Sequence, residues 1–351
     1  MRRIHLIILA LAATATLASI GLAQQGSMAV PYKVLKTVKA GGEGGFDYVY
    51  ADSAGRRLYI PRSGPSGRIT VFNLDTLAPA GEIPNVNAHG AIVDPKNDHG
   101  FTTSKPITMF DSKTLAVIKT IEVQGNPDGI FFDAANQRVY DLSHAQPNVT
   151  VIDTKDGSIV GSIVDLGGAP EETVSDGKGH LYIDIEDKSE IAVVDAKELK
   201  VTTTYDLSPN ATCASLAIDA KNGILFAGCR NPNVMVVLSA ATGKIITTLP
   251  IGKATDGAVF NPATMEAFTS QGDGTLTVVK ENSPTSFAVE QNVETMSNAK
   301  TLTLDRKTNH LFLIAAEYSA PTGPPKAGGA PGGIQRGPMV PDSFTILEVG
   351  K

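Results

Sequence analysis

The sequence predicts an all-β chain folded as a seven-bladed β-propeller, its ring closed by the N-terminal strand in the last blade. Three observations predict it. Seven aromatic residues, Tyr59, Phe101, Tyr140, Tyr182, Phe226, Phe268 and Phe312, recur at steps of 42, 39, 42, 44, 42 and 44 residues. Six or seven positions before each stands an Asp or Asn: Asp52, Asp94, Asp133, Asp176, Asp219, Asn261 and Asp305. Between these markers lie short apolar runs broken by Gly, Asn, Asp and Pro, and a period near forty with such punctuation marks one four-stranded blade per repeat.

The chain opens with Met1-Arg2-Arg3, an apolar run from Ile4 to Leu22, and the small residue Ala23 before Gln24. That order reads as a secretory signal peptide over 1–23, followed by a short linker over 24–31. The small-residue exit and the lack of positive charge after it favour cleavage over a membrane anchor. Without residues 1–23 the chain holds 28 basic and 36 acidic residues, a formal charge of −8. An acidic chain of this kind is not expected to bind nucleic acid, and no later run has the length of a membrane helix. The expectation is an exported, periplasmic or secreted monomer without stable membrane insertion.

The third repeat shows the grammar of the propeller at 32–351. Gly129-Ile130-Phe131-Phe132-Asp133 is an apolar run, Ala134 to Gln137 a turn, and Arg138-Val139-Tyr140-Asp141-Leu142 a second strand. Val149-Thr150-Val151-Ile152-Asp153 follows, then the turn Lys155-Asp156-Gly157 and a fourth run ending at Val164. An apolar first run suits a strand enclosed between neighbouring blades. The Asp residues at strand ends are expected to bond local backbone amides in Asx turns, and the seven aromatics to fill the core.

The seventh repeat has no fourth strand after Phe344 to Val349, while Tyr32 to Val38 precedes the first repeat without a blade of its own. An open ring would leave an unpaired sheet edge, so Lys33–Val38 is expected to pair with Phe344–Val349. Residues 319–341 hold six Pro and six Gly among 23 residues, too few apolar groups for a core, and read as a loop inserted in the last blade. Cys213 and Cys229 lie symmetrically about the turn at Asp219 to Gly223, which places them opposite one another on a hairpin and predicts a disulfide.

The carrying pattern is now assembled: Asp128-Gly129 through Asp133, then Arg138-Val139-Tyr140, then Val151-Ile152-Asp153-Thr154. In it the chain resembles the secreted bacterial YVTN-type β-propeller repeat proteins over about residues 32–351. The tetrapeptide of that name is degenerate here, as in Tyr59-Ile60-Pro61-Arg62 and Tyr182-Ile183-Asp184-Ile185. The resemblance implies a binding or scaffolding role for an unknown protein or small ligand, and no particular chemistry, because fold does not fix function.

Propellers bind ligands at the mouth of the central channel. Five residues before each Asp/Asn anchor stand Asp47, His89, Asp128, Glu171, Ala214, Asp256 and Lys300, at the start of the channel-lining strand. Six of these seven side chains are ionisable, and Asp47, His89, Asp128 and Glu171 come from consecutive repeats. Such an arc suits a divalent cation: calcium on the carboxylates Asp47, Asp128 and Glu171, or zinc where His takes part. The alternatives are a solvated lining, with Lys300 neutralising Asp47 or Asp256, and a catalytic centre. His99, His144, His180 and His310 fall at turns or before second strands and read as surface residues.

The sequence lacks a Gly-x-Ser-x-Gly elbow, a His-Glu-x-x-His helix motif, a phosphate-cradling loop and a Cys-x-x-Cys pair. The leading expectation is therefore a non-enzymatic binding module. The alternative, by analogy with seven-bladed propellers that host such chemistry, is a metal-dependent lactonase-type hydrolase, with His89 or Glu171 as general base beside a metal on Asp47 and Asp128.

Overall fold

Seven four-stranded antiparallel sheets make up the computed structural model, which describes residues 30–321 except 147, and 336–351. The expected signal peptide, most of the linker and the middle of the Gly/Pro-rich segment lie outside these residues. Among the described residues there is no helix, and so none long and apolar enough to cross a membrane.

Six of the seven sheets run outward in chain order. In blade three the strands Pro127–Asp133, Arg138–Ser143, Val149–Asp153 and Ile159–Ile163 follow one another from the axis to the rim. The first hairpin of every blade is set by the same local chemistry. Each of the seven anchors accepts a backbone N–H from the residue two ahead: Ala54, Lys96, Ala135, Lys178, Lys221, Ala263 and Lys307. The residue just before each second strand is left-handed: Arg56, Asp98, Gln137, Gly179, Gly223, Met265 and Asn309. A tight turn closed by an αL residue reverses a strand in register, and here glycine supplies it in only two blades.

The aromatic repeat is core, as expected. Tyr59, Phe101, Tyr140, Phe226 and Phe268 have no exposed surface, Phe312 has 1% and Tyr182 4%. Seven apolar clusters fill the seven gaps between neighbouring blades, each with one of these rings. Tyr140 packs with Leu181 and Ile183 of the next blade, and Phe312 with Leu58 and Ile60 across the seam between blades seven and one. The large flat side chain buries far more area than an aliphatic one and so holds two twisted sheets face to face.

The ring closes as the sequence demanded. Blade seven is ordered Lys33–Lys39, Thr345–Gly350, His310–Ala315 and Leu302–Asp305, from rim to axis. Lys33 pairs with Gly350 and Lys39 with Thr345, so that each strand ends one residue later than expected, and Phe344 accepts from Ala40 N at 2.9 Å. The seam is also pinned by Arg56, whose guanidinium donates twice to Asp305 at 2.8 Å. In blade five Cys213 and Cys229 are directly paired across the first two strands and joined by a disulfide.

Candidate functional site

The ring residues owe their position to broken ladders. Asp128 falls in the register shift between Pro127 and Ile130, Glu171 between Pro170 and Thr173, Ala214 between Cys213 and Ser215, and Asp256 between Thr255 and Gly257. A bulge at the start of an inner strand ends the pairing and turns a side chain away from the sheet plane. In four successive blades it does so at the same level of the channel.

Five of the seven residues expected there meet directly, and Glu171 joins them through His144. His89 Nδ1 lies 3.2 Å from Asp47 Oδ2 and 3.2 Å from Asp128 Oδ1. Lys300 Nζ lies 3.3 Å from Asp47 Oδ1 and is bonded to Asp256. Ala214, the neutral member, is fully buried.

Three partners were not expected. His144 does lie at an exposed bend, as expected, but it also reaches the mouth: its Nε2 sits 3.4 Å from Asp128 Oδ2 and 3.3 Å from Glu171 Oε2. Arg230 donates to Glu186 at 2.6 Å, to Asp256 and, at 2.8 Å, to the Thr255 carbonyl. His144, Glu186 and Arg230 each stand four residues after a repeat aromatic, Tyr140, Tyr182 and Phe226. The second strand runs antiparallel to the first, so its end returns to the same mouth. The signal was therefore in the sequence, one strand further on.

The mouth divides into two halves. One side is an ion-paired chain of Glu186, Arg230, Asp256, Lys300 and Asp47. The other is an arc of Asp47, His89, Asp128, His144 and Glu171, Asp47 belonging to both halves. Potential metal donors converge in two groups, Asp47–His89–Asp128 and Asp128–His144–Glu171, each with mutual distances within 4.8 Å. The three carboxylates Asp47, Asp128 and Glu171 form no group of their own among the described residues, because Asp47 and Glu171 belong to different halves of the arc. The donor groups that do converge each hold one imidazole beside two carboxylates.

Charges within the arc are mutually compensated. A hydrogen bond to Asp47, opposed by burial, raises His89 above its ordinary range. Glu171 holds His144 up at about 9, and burial pushes Glu171 itself to about 7. Burial also raises Asp128, while Asp47, against its own burial, is held at about 2 by Lys300 and His89. Beneath the arc, Tyr48 reaches from blade one to the Glu171 carbonyl at 3.3 Å. It lines a cavity of about 160 Å³ with Glu171, Glu172, Leu142 and Leu216. A second cavity of about 760 Å³ occupies the other end of the channel among the anchor turns, with Ile92, Phe131, Phe132, Ile218 and Val259 on its wall. The second cavity mixes these apolar side chains with the charged anchor-turn residues Asp52, Asp133, Asp176, Asp219, Lys221 and Arg306.

Arg230→Met should cost about 1–2 kcal/mol, since it strands the half-buried Glu186 while Lys300 still covers Asp256. Denaturant titration checks this, and an unchanged midpoint would mean that the pair contributes nothing net.

Compared with known proteins by sequence, the chain matches no protein family. It matches no curated protein either. Among solved structures it is similar to a chain of the mitotic checkpoint complex crystal structure, with a TM-score of 0.69 and 11% identity over 88% of this chain and 96% of that one. It is similar also to a chain of Kuenenia stuttgartiensis hydrazine synthase, with a TM-score of 0.66 and 14% identity over 76% of this chain and 91% of that one. At such identities the likeness shows the β-propeller fold and nothing about activity.

Proposed function

We propose that the protein is an exported, YVTN-type propeller binding module whose channel mouth takes a divalent transition-metal ion of the zinc class. One observation carries the metal reading. The four imidazole–carboxylate separations in the arc are 3.2, 3.2, 3.4 and 3.3 Å. Elsewhere in the same molecule His180–Asp176 and His310–Glu348 close to 2.8 and 2.7 Å, ordinary charge-assisted hydrogen bonds. Donors at roughly 2.0–2.1 Å from a tetrahedral zinc lie about 3.3–3.4 Å from one another, which is the spacing of the arc. Imidazole in both groups favours zinc over calcium, whose ligands are oxygens. Export is supported by the N-terminal segment and by the disulfide, which suits an oxidising compartment.

Zinc at a hundredfold excess over its dissociation constant should stabilise the fold by about 2.7 kcal/mol and raise the melting temperature by roughly 5 °C. Asp128→Ala together with Glu171→Ala should abolish that rise. A melting curve unmoved by zinc, or a double variant that responds like the wild type, ends the reading.

The hydrolase alternative draws on one feature, the Glu171 carboxyl at about 7, in the range of a general base. It requires lactone turnover that a chelator stops. Absence of turnover in zinc-loaded protein removes it and leaves the binding module.

A further inference from the structure

We infer that the mouth holds a pair of divalent ions bridged by the carboxylate of Asp128; this rests on the metal-binding reading above. The two oxygens of Asp128 are not equivalent in their surroundings. Oδ1 faces His89 Nδ1 at 3.2 Å, and Oδ2 faces His144 Nε2 at 3.4 Å. A carboxylate divided in this way between two nitrogen donors is placed to give one lone pair to each of two centres. Carboxylate-bridged ions in two-metal sites stand about 3.5–4 Å apart.

A single ion would waste half of the arc. His89 and His144 occur in different donor groups, and Asp128 is the only residue common to both. An ion on one group leaves the other imidazole and the other terminal carboxylate without a role. Two ions use all five side chains, with one imidazole, one terminal carboxylate and one bridging oxygen for each.

The terminal carboxylates are oriented for this. Asp47 turns Oδ1 to Lys300 at 3.3 Å and Oδ2 to the His89 side. Glu171 turns Oε1 to the Tyr48 hydroxyl at 3.5 Å and Oε2 to the His144 side. Each therefore has one oxygen beside an outer donor and one beside an imidazole, with which it would share an ion.

Three protein donors leave a position open on each ion. Two dications also exceed the charge of Asp47, Asp128 and Glu171. The ligand class that completes the site is therefore a small anion, hydroxide or an oxyanion such as a carboxylate or phosphate, lying across both open positions.

The test is zinc stoichiometry in the metal-free full-length protein, by calorimetric titration and by metal content after dialysis, with the absorption of bound cobalt(II) as a second readout. Two equivalents are expected in the wild type, one in His89→Ala, one in His144→Ala, and none held tightly in Asp128→Ala. Asp128→Asn serves the same purpose should the alanine variant not fold. One equivalent in the wild type overturns the pair and leaves the single-ion reading intact. Single-His variants that keep two equivalents, or lose both, also overturn it. No binding in the wild type removes both readings.

Discussion

A chain that begins at Gly41 is expected to melt at least about 10 °C below the full chain, or not to fold. It loses the strand Lys33–Lys39, every backbone bond of that strand to Thr345–Gly350, and the packing of Val34 and Val38 into two different clusters. It also loses Tyr32, which is 4% exposed, stands edge-on to Phe268 at 5.2 Å and donates to Glu266 at 2.5 Å. Burial of the tyrosine alone is worth about 1.5–3 kcal/mol, and the lost ladder adds to it. The truncation further turns Thr345–Gly350 into an open edge, so aggregation should accompany the loss. Thermal unfolding followed by circular dichroism measures it, and an unchanged melting temperature would show that the closing strand is dispensable.

Replacing both cysteines, Cys213→Ala with Cys229→Ala, should remove about 3 kcal/mol, or roughly 4–6 °C of melting temperature. The bridge closes a segment of 16 residues, and in the unfolded chain it forbids most conformations of that loop. Both side chains are buried, 1% and 0% exposed, beside Leu216, Leu225 and Val236, so their truncation also thins a packed cluster. Reduction of the wild type should reproduce most of the drop. Thiol labelling of the unfolded, unreduced protein should find no free thiol, and two free thiols would contradict the bridge.

The fold was legible because a propeller repeats its constraints. An Asx turn, a left-handed residue and a buried ring recur in every blade, so spacing alone reveals them. Ring closure and the disulfide followed from pairing arithmetic. The site was legible only along the first strand of each repeat. His144, Glu186 and Arg230 were missed because they sit at the ends of second strands, where a turn residue and a mouth residue look the same in sequence. Ala214 illustrates the limit. Its place in the ring is neutral, and the charge of blade five comes instead from Arg230 on the partner strand. No periodicity states how Asp128 divides its two oxygens between His89 and His144, since that depends on bulge geometry and rotamers.

The seam between the last blade and the first also fixes an order of assembly. Blades one to six are built from consecutive hairpins and can form as the chain grows. Blade seven cannot, because its outer strand is made first and its neighbour last. Asp47 meets Lys300, 253 residues further along, only once that latch shuts. The mouth therefore gains its complete circuit of charge at the final step, and a chain halted short of its last strand already carries Lys300 but lacks the latch that holds it against Asp47.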